Sequence, residues 1–149
     1  MQDTERMSEE RTIKRFYSLD EALGWKGYCI ETEDYDELKV QITTASECCE
    51  AIDQELSDRE ENILIPGTRI LDWQYWEEKD DLPEGTFVHD YESYMGKDAF
   101  FLILSLEVKR KDKEESEKVY LAVSNQHNGY YCHNAQILFK GEILADEWI

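Results

Sequence analysis

Apolar and polar positions along this chain alternate more often than they recur at helical spacing. Leu38, Val40 and Ile42 alternate with Lys39, Gln41 and Thr43, which predicts a strand with one buried face. Over 68–76, Ile70, Asp72, Gln74 and Trp76 oppose Leu71, Trp73 and Tyr75 in another strand. Phe100 to Leu106 is nearly continuous in large apolar side chains. The strand over 98–109 is therefore expected to be central and covered on both faces. A charged tip over 110–117 returns the chain as an antiparallel partner over 118–125. Trp25 to Glu31 reads as a first strand, and 47–52 is a candidate to continue the sheet.

Turn chemistry places the boundaries. Ser18 reads as an N-cap with Glu21 completing a capping box, and Gly24 ends the short helix they open. Ile13, Phe16 and Tyr17 also fall at helical spacing, which extends that helix backwards. Pro66-Gly67 marks a turn. Asn128-Gly129 is a type I′ hairpin signal, because both central residues of that turn need positive φ. It predicts a last long strand over 130–139, followed by Gly141 and a short tail ending in Trp148. Residues 1–12 are polar and expected to fray, while the connection over 77–96 is long enough to be functional or mobile. The fold class is α+β, mainly β: one domain built on a twisted antiparallel sheet of about six strands, with one or two short helices.

Composition changes this picture through charge. Hydrophobic residues make up 41% of the 149 positions, enough for a core, yet 35 acids face 16 bases for a net charge of −19. Such a surface repels nucleic-acid phosphate and anionic membranes, and attracts basic protein surfaces. The excess is concentrated. Residues 31–62 hold twelve acids against Lys39 and Arg59, and residues 77–98 hold eight against Lys79 and Lys97. Asp34, Asp36, Glu37, Asp80 and Asp81 are the candidates for an acidic binding surface. The plainer reading is that these loops are solvated and keep the chain soluble.

Four cysteines, Cys29, Cys48, Cys49 and Cys132, lack the spacing of a secreted disulfide framework. Met1 to Lys14 is charged throughout and does not read as a signal peptide. No apolar run approaches the roughly 20 residues of a membrane span. A reducing cytoplasm is the expected compartment. Nothing in the pattern sets the oligomeric state.

Candidate chemistry gathers in Cys48-Cys49-Glu50 and in the run His127-Asn128-Gly129-Tyr130-Tyr131-Cys132-His133. The residue types suit zinc, but adjacent strand residues diverge and no CxxC is present, so no metal and no other cofactor is expected. A cysteine nucleophile is disfavoured too, because a negative surrounding raises the thiol pKa. The remaining chemistry is a pocket for a nucleotide-like small molecule. Cys48, Cys49, Glu50, His127 and Asn128 would line it, with Tyr130 and Tyr131 as stacking faces. A basic patch of Lys109, Arg110, Lys111 and Lys113 would help an anionic ligand if it folded beside that pocket. The competing reading is that strand cysteines and hairpin aromatics simply pack. No glycine-rich phosphate loop, GxSxG, HExxH or EF-hand pattern occurs.

Over residues 25–139 these pieces resemble a domain of unknown function found in phage proteins and some protist proteins. The resemblance is carried by the alternating strand Leu38 to Ile42, by Cys48-Cys49-Glu50, by the segment Ile63 to Gly67, and by Asn128-Gly129-Tyr130-Tyr131. It implies a phage-like origin and one structural neighbourhood for the two motifs, and supplies no activity. The leading expectation is a non-enzymatic acidic binding protein that blocks a host defence or nucleic-acid enzyme by occupying its basic surface. The alternative is a small-molecule binder or enzyme using the pocket.

Overall fold

The computed structural model describes residues 10–45, 50–56, 63–77, 98–127 and 131–149. Those residues form nine strands: β1 Arg11–Ser18, β2 Trp25–Thr32, β3 Glu37–Thr43, β4 Ala51–Leu56, β5 Arg69–Trp76, β6 Asp98–Lys109, β7 Glu117–His127, β8 Asn134–Phe139 and β9 Glu142–Trp148. All pairs are antiparallel, in the order β4-β7-β6-β5-β1-β2-β3-β8-β9. No helix among the described residues is long and apolar enough to cross a membrane.

The sheet doubles over at β1. Arg11 and Thr12 pair with β5, whereas Ile13 to Ser18 pair with β2, with a register irregularity between Ile13 and Arg15. The apolar faces of both halves then share one core. Ile30, Leu38, Val40 and Ile42 come from one half, and Leu102, Leu104, Leu106, Leu121 and Val123 from the other. Across the fold, β4 is tied back to β2. The Lys26 ammonium donates to the Ile52 carbonyl at 3.1 Å, and the Gly27 N–H donates to Gln54 Oε1 at 2.9 Å.

The alternating and continuous apolar runs are seen as strands β3, β5 and β6. Both faces of β6 are buried, because Phe101 and Ile103 join Tyr120, Ala122 and Trp76 in a second apolar cluster. Six expectations are corrected. The sheet has nine described strands rather than about six. Arg11–Ser18 is a strand, and helical structure among the described residues reduces to one 3₁₀ turn, Glu21–Leu23. That turn is capped by Asp20, whose side chain accepts from the Ala22 N–H, and not by Ser18, while Gly24 closes it at φ 92°. β7 and β8 do not form a hairpin, because β4 and β6 occupy both edges of β7, and β8 lies between β3 and β9. The last 130–139 strand is accordingly short, Asn134–Phe139. The tail after Gly141 is β9. Its hairpin turn with β8 is Lys140-Gly141, at φ 56° and 79°, the two positive values that a type I′ turn requires.

Two predictions follow from the packing. At Gly27, φ is 145° and an added Cβ would meet the Val40 carbonyl oxygen at 2.0 Å, with Gln41 Cα at 2.9 Å. Backbone has little room to yield there. Gly27→Ala is expected to cost about 3 kcal/mol or more, by overpacking and backbone strain together, measured by urea denaturation.

The second concerns the contact of Glu77, after β5, with Glu147 on β9. Burial, a hydrogen bond with Glu77 and the Glu77 charge hold the Glu147 carboxyl above its ordinary 4.5. A carboxyl with a raised folded-state pKa favours folding below its unfolded pKa, and that contribution is lost as pH rises through the folded value. Glu147→Gln should therefore stabilise the fold at pH 7 by a few tenths to about 1 kcal/mol, the range of a partly exposed charge contact, and raise the melting temperature accordingly. The gain should shrink towards pH 4, and an equal gain at both pH values would contradict this account.

Candidate functional site

The core-facing positions of β7 run Val119, Leu121 and Val123, then continue in phase through two polar residues, Asn125 and His127. β4 pairs Ala51 with Gln126, so Glu50 stands one residue earlier, at the register position opposite His127. The chain then crosses to the other half of the sheet. Just before β8, His133 exchanges two backbone hydrogen bonds with Ile149, at 2.8 and 3.0 Å. This pairing fixes the histidine, and its Nε2 lies 2.6 Å from Glu50 Oε2. Both side chains are buried, at 6% and 2% exposure. The fully buried Asn125 amide donates to the carbonyls of Tyr131 and Ile149, at 2.8 and 2.9 Å, while its Oδ1 has no partner. The ring of Phe100 lies 4.9 Å from that of His127.

Two motifs distant in sequence thus meet at one end of the core. Glu50 belongs to the first, and Tyr131 and His133 to the second. Of the other pocket candidates, Cys48, Cys49, Asn128 and Tyr130 lie outside the described residues, and His127 is buried among the core-facing residues. The spacing of the sequence did not identify His133 as the partner of Glu50, nor Asn125 as the residue holding both the loop and Ile149. The available signal was phase: Asn125 and His127 fall on the buried side of an alternating strand.

What can this arrangement do? A short contact of this kind between two buried side chains is a hydrogen bond that fixes both of them. A general base must also reach a substrate proton, and Glu50 is engaged with His133 and closed from solvent. The geometry fits a clamp that joins the entry of β4 to the loop before β8. No group of three or more His, Cys, Asp or Glu among the described residues is arranged to hold a metal. A hollow lined by Asp72, Gln74, Ser105 and Lys118 measures about 40 Å³, room for a few waters and not for a nucleotide.

A second cluster was not legible because it spans three strands. Glu37 Oε2 accepts from Tyr17 Oη at 3.3 Å and from the Cys29 thiol at 3.5 Å. Burial pushes the thiol up to about 11, with the Glu37 charge adding to it and the Tyr17 hydrogen bond opposing it. The Tyr17 phenol is raised as well, first by its hydrogen bond with Cys29 and then by burial. Cys29 stays protonated at neutral pH and is not a nucleophile.

The acidic candidates divide. Asp36 accepts from Arg11 at 2.8 Å and lies 3.8 Å from the Lys140 ammonium. Asp34 is 3.4 Å from the same guanidinium yet 69% exposed, and Glu37 is 3.7 Å from Lys39. Asp80 and Asp81 lie outside the described residues. The basic patch Lys109, Arg110, Lys111 and Lys113 sits at the β6–β7 tip, while His127 pairs with Asp98 at the other end of β6. At about 3.4 Å per residue the two are on the order of 30 Å apart, so the patch does not serve the Glu50–His133 neighbourhood.

Removing one partner of a buried, hydrogen-bonded pair leaves the other's polar atoms unsatisfied. Glu50→Ala and His133→Ala are each expected to destabilise by about 1–3 kcal/mol. The double variant should cost clearly less than their sum, as read from a denaturant double-mutant cycle. Additive losses would remove the clamp.

The chain matches no protein family model, no curated protein and no solved structure. Its functional reading rests on charge layout and on the geometry above.

Proposed function

We propose that this chain is a non-enzymatic acidic binding protein that occupies a basic surface of another protein. The observation that carries this reading is the segregation of its bases. Arg11, Arg69, Lys109, Arg110, Lys111, Lys113 and Lys140 gather at the end with the β2–β3, β6–β7 and β8–β9 turns. There they pair with the chain's own acids, as in Arg11–Asp36, Arg69–Glu10 and Arg110–Glu117.

The opposite end keeps its acids nearly uncompensated. Its described acids include Asp20, Glu21, Asp53, Glu77 and Glu147, and the described base among them is Lys26, which reaches Glu21 at 3.2 Å. The sequence between Glu77 and Asp98, which lies outside the described residues, holds six more acids, Asp80 and Asp81 among them, against two bases. A cleft shaped for nucleic-acid phosphate has the matching charge, and such fields steer association. A host defence or nucleic-acid enzyme with such a cleft is the partner this reading names. The free thiols Cys29 and Cys132 fit a reducing compartment such as the cytoplasm. The burial of Glu50 and His133 supports a structural role for that cluster, which sets the pocket alternative behind.

Binding should then be spread over many carboxylates, each worth roughly 0–1 kcal/mol. Capture from lysate at low salt yields the partner, and stopped-flow mixing gives its association rate. Reversing Asp53, Glu77, Asp80 and Asp81 together to Lys should slow association by roughly tenfold or more, with dissociation changed less. Asp34→Lys with Asp36→Lys should have the smaller effect, because Arg11 already screens those positions. Raising salt from 0.1 to 1 M shortens the Debye length from roughly 10 to 3 Å and should act in the same direction. An association rate indifferent to salt and to the fourfold reversal would discard the proposal.

A further inference from the structure

We infer that the free edge of β9 is a strand-addition site for an extended, basic segment of a partner protein. This inference rests on the basic-partner reading above and names its mode of contact. An open sheet has two edges, and here they are β4 and β9. The chain closes the first itself, since Lys26 bonds the Ile52 carbonyl while Gln54 reaches Gly27 and Ser18. Among the described residues the second has no such cover. β9 pairs with β8 alone, and the backbone bonds outside the sheet ladders include none from Glu142–Trp148. Alternate N–H and C=O groups of an edge strand point away from its one neighbour and are a template for another strand.

The side chains agree. Ile143 is 52% exposed and Trp148 is 71% exposed. The register shift between Ile137 and Leu138 leaves Leu144 as the extra residue in β9, so the continuous template is Ala145 to Trp148. Edge strands are commonly guarded by Lys or Pro, and β9 has neither. It carries Glu142, Asp146 and Glu147 and no base, with Glu77 beside Glu147.

This charge selects the occupant. A second copy of the chain would set three carboxylates against three, and like charges directly opposite are unfavourable. A segment with Lys or Arg at alternate positions sets its cations on one face of the sheet, where they would meet Asp146 and lie over the Trp148 indole, while its backbone completes the ladder.

The probe is a capped heptapeptide alternating Lys and Val, with a second version N-methylated at each Val so that it keeps the charge and loses donors. The full chain is titrated at low salt, and amide hydrogen exchange is followed residue by residue. The unmodified peptide should slow exchange in β9 and bind roughly tenfold or more tightly than the N-methylated one. Trp148→Lys should weaken it while leaving the melting temperature unchanged. Equal, salt-sensitive binding of both peptides would overturn the edge site and leave the basic-partner reading standing. Protection at β4 instead of β9 would overturn it likewise. Absence of binding by either peptide at low salt would sink both readings. Dimerisation with β9 protection in the absence of peptide would overturn the basic occupant.

Discussion

Between Thr12 and Ile13, β1 exchanges one partner for another, from β5 to β2. The rest of the molecule depends on that exchange. An antiparallel sheet with one apolar face must cover it, and this chain has no described helix long enough to do so. It covers the face with its own other half. Ile13 is fully buried at the fold line, and the Ile13 N–H donates to the Thr68 carbonyl at 2.8 Å while its own carbonyl accepts from Gly67. The strand is thus bonded on both sides of the bend. The doubling brings the end of β7 opposite the residues that lead into β8, which is the condition for Glu50, Asn125 and His133 to meet.

That meeting trades stability for position. Apolar residues of similar volume would fill the same space without the desolvation cost of a buried pair. A carboxylate and an imidazole tolerate only one arrangement. Asn125 adds two directional bonds to main-chain carbonyls from different segments. An apolar contact at this end would permit β4 and the loop before β8 to slide, whereas the polar one fixes their relative register. In this fold the two ends of the sheet differ in kind: a polar clamp at one and exposed ion pairs at the other.

How much of this was readable beforehand depended on range. β3 and β6 were legible because one-sided or two-sided burial writes itself into period two or into a continuous run. β1 was misread because Ile13, Phe16 and Tyr17 fit a helical stripe as well as a strand that changes partners midway. β9 was missed because its bulge sets Ile143 beside Leu144 and breaks the alternation. Asn128-Gly129 lies outside the described residues, and beyond it the strand partners are set over long range: β7 takes β4 and β6, and β8 takes β3 and β9. At the site, residue types marked the two segments and the phase of β7 marked Asn125. The pairing of Glu50 with His133 depends on a contact across 83 positions, which no local pattern encodes.

Charge then acts twice in the same molecule. Net charge far from zero works against compactness, and here the bases relieve it where the turns crowd acids together, as Arg11 does for Asp34 and Asp36. The remainder falls where relief is absent, including along β9. An open edge bearing Trp148 and Ile143 would ordinarily invite a second copy. Three acids and no base make that pairing repulsive without covering the edge. Lysine guards would also have prevented self-association, but they would have repelled basic partners as well. In the strand-addition proposal, carboxylates at this edge would oppose the chain's own copies and favour a basic strand, so both preferences would come from the same residues.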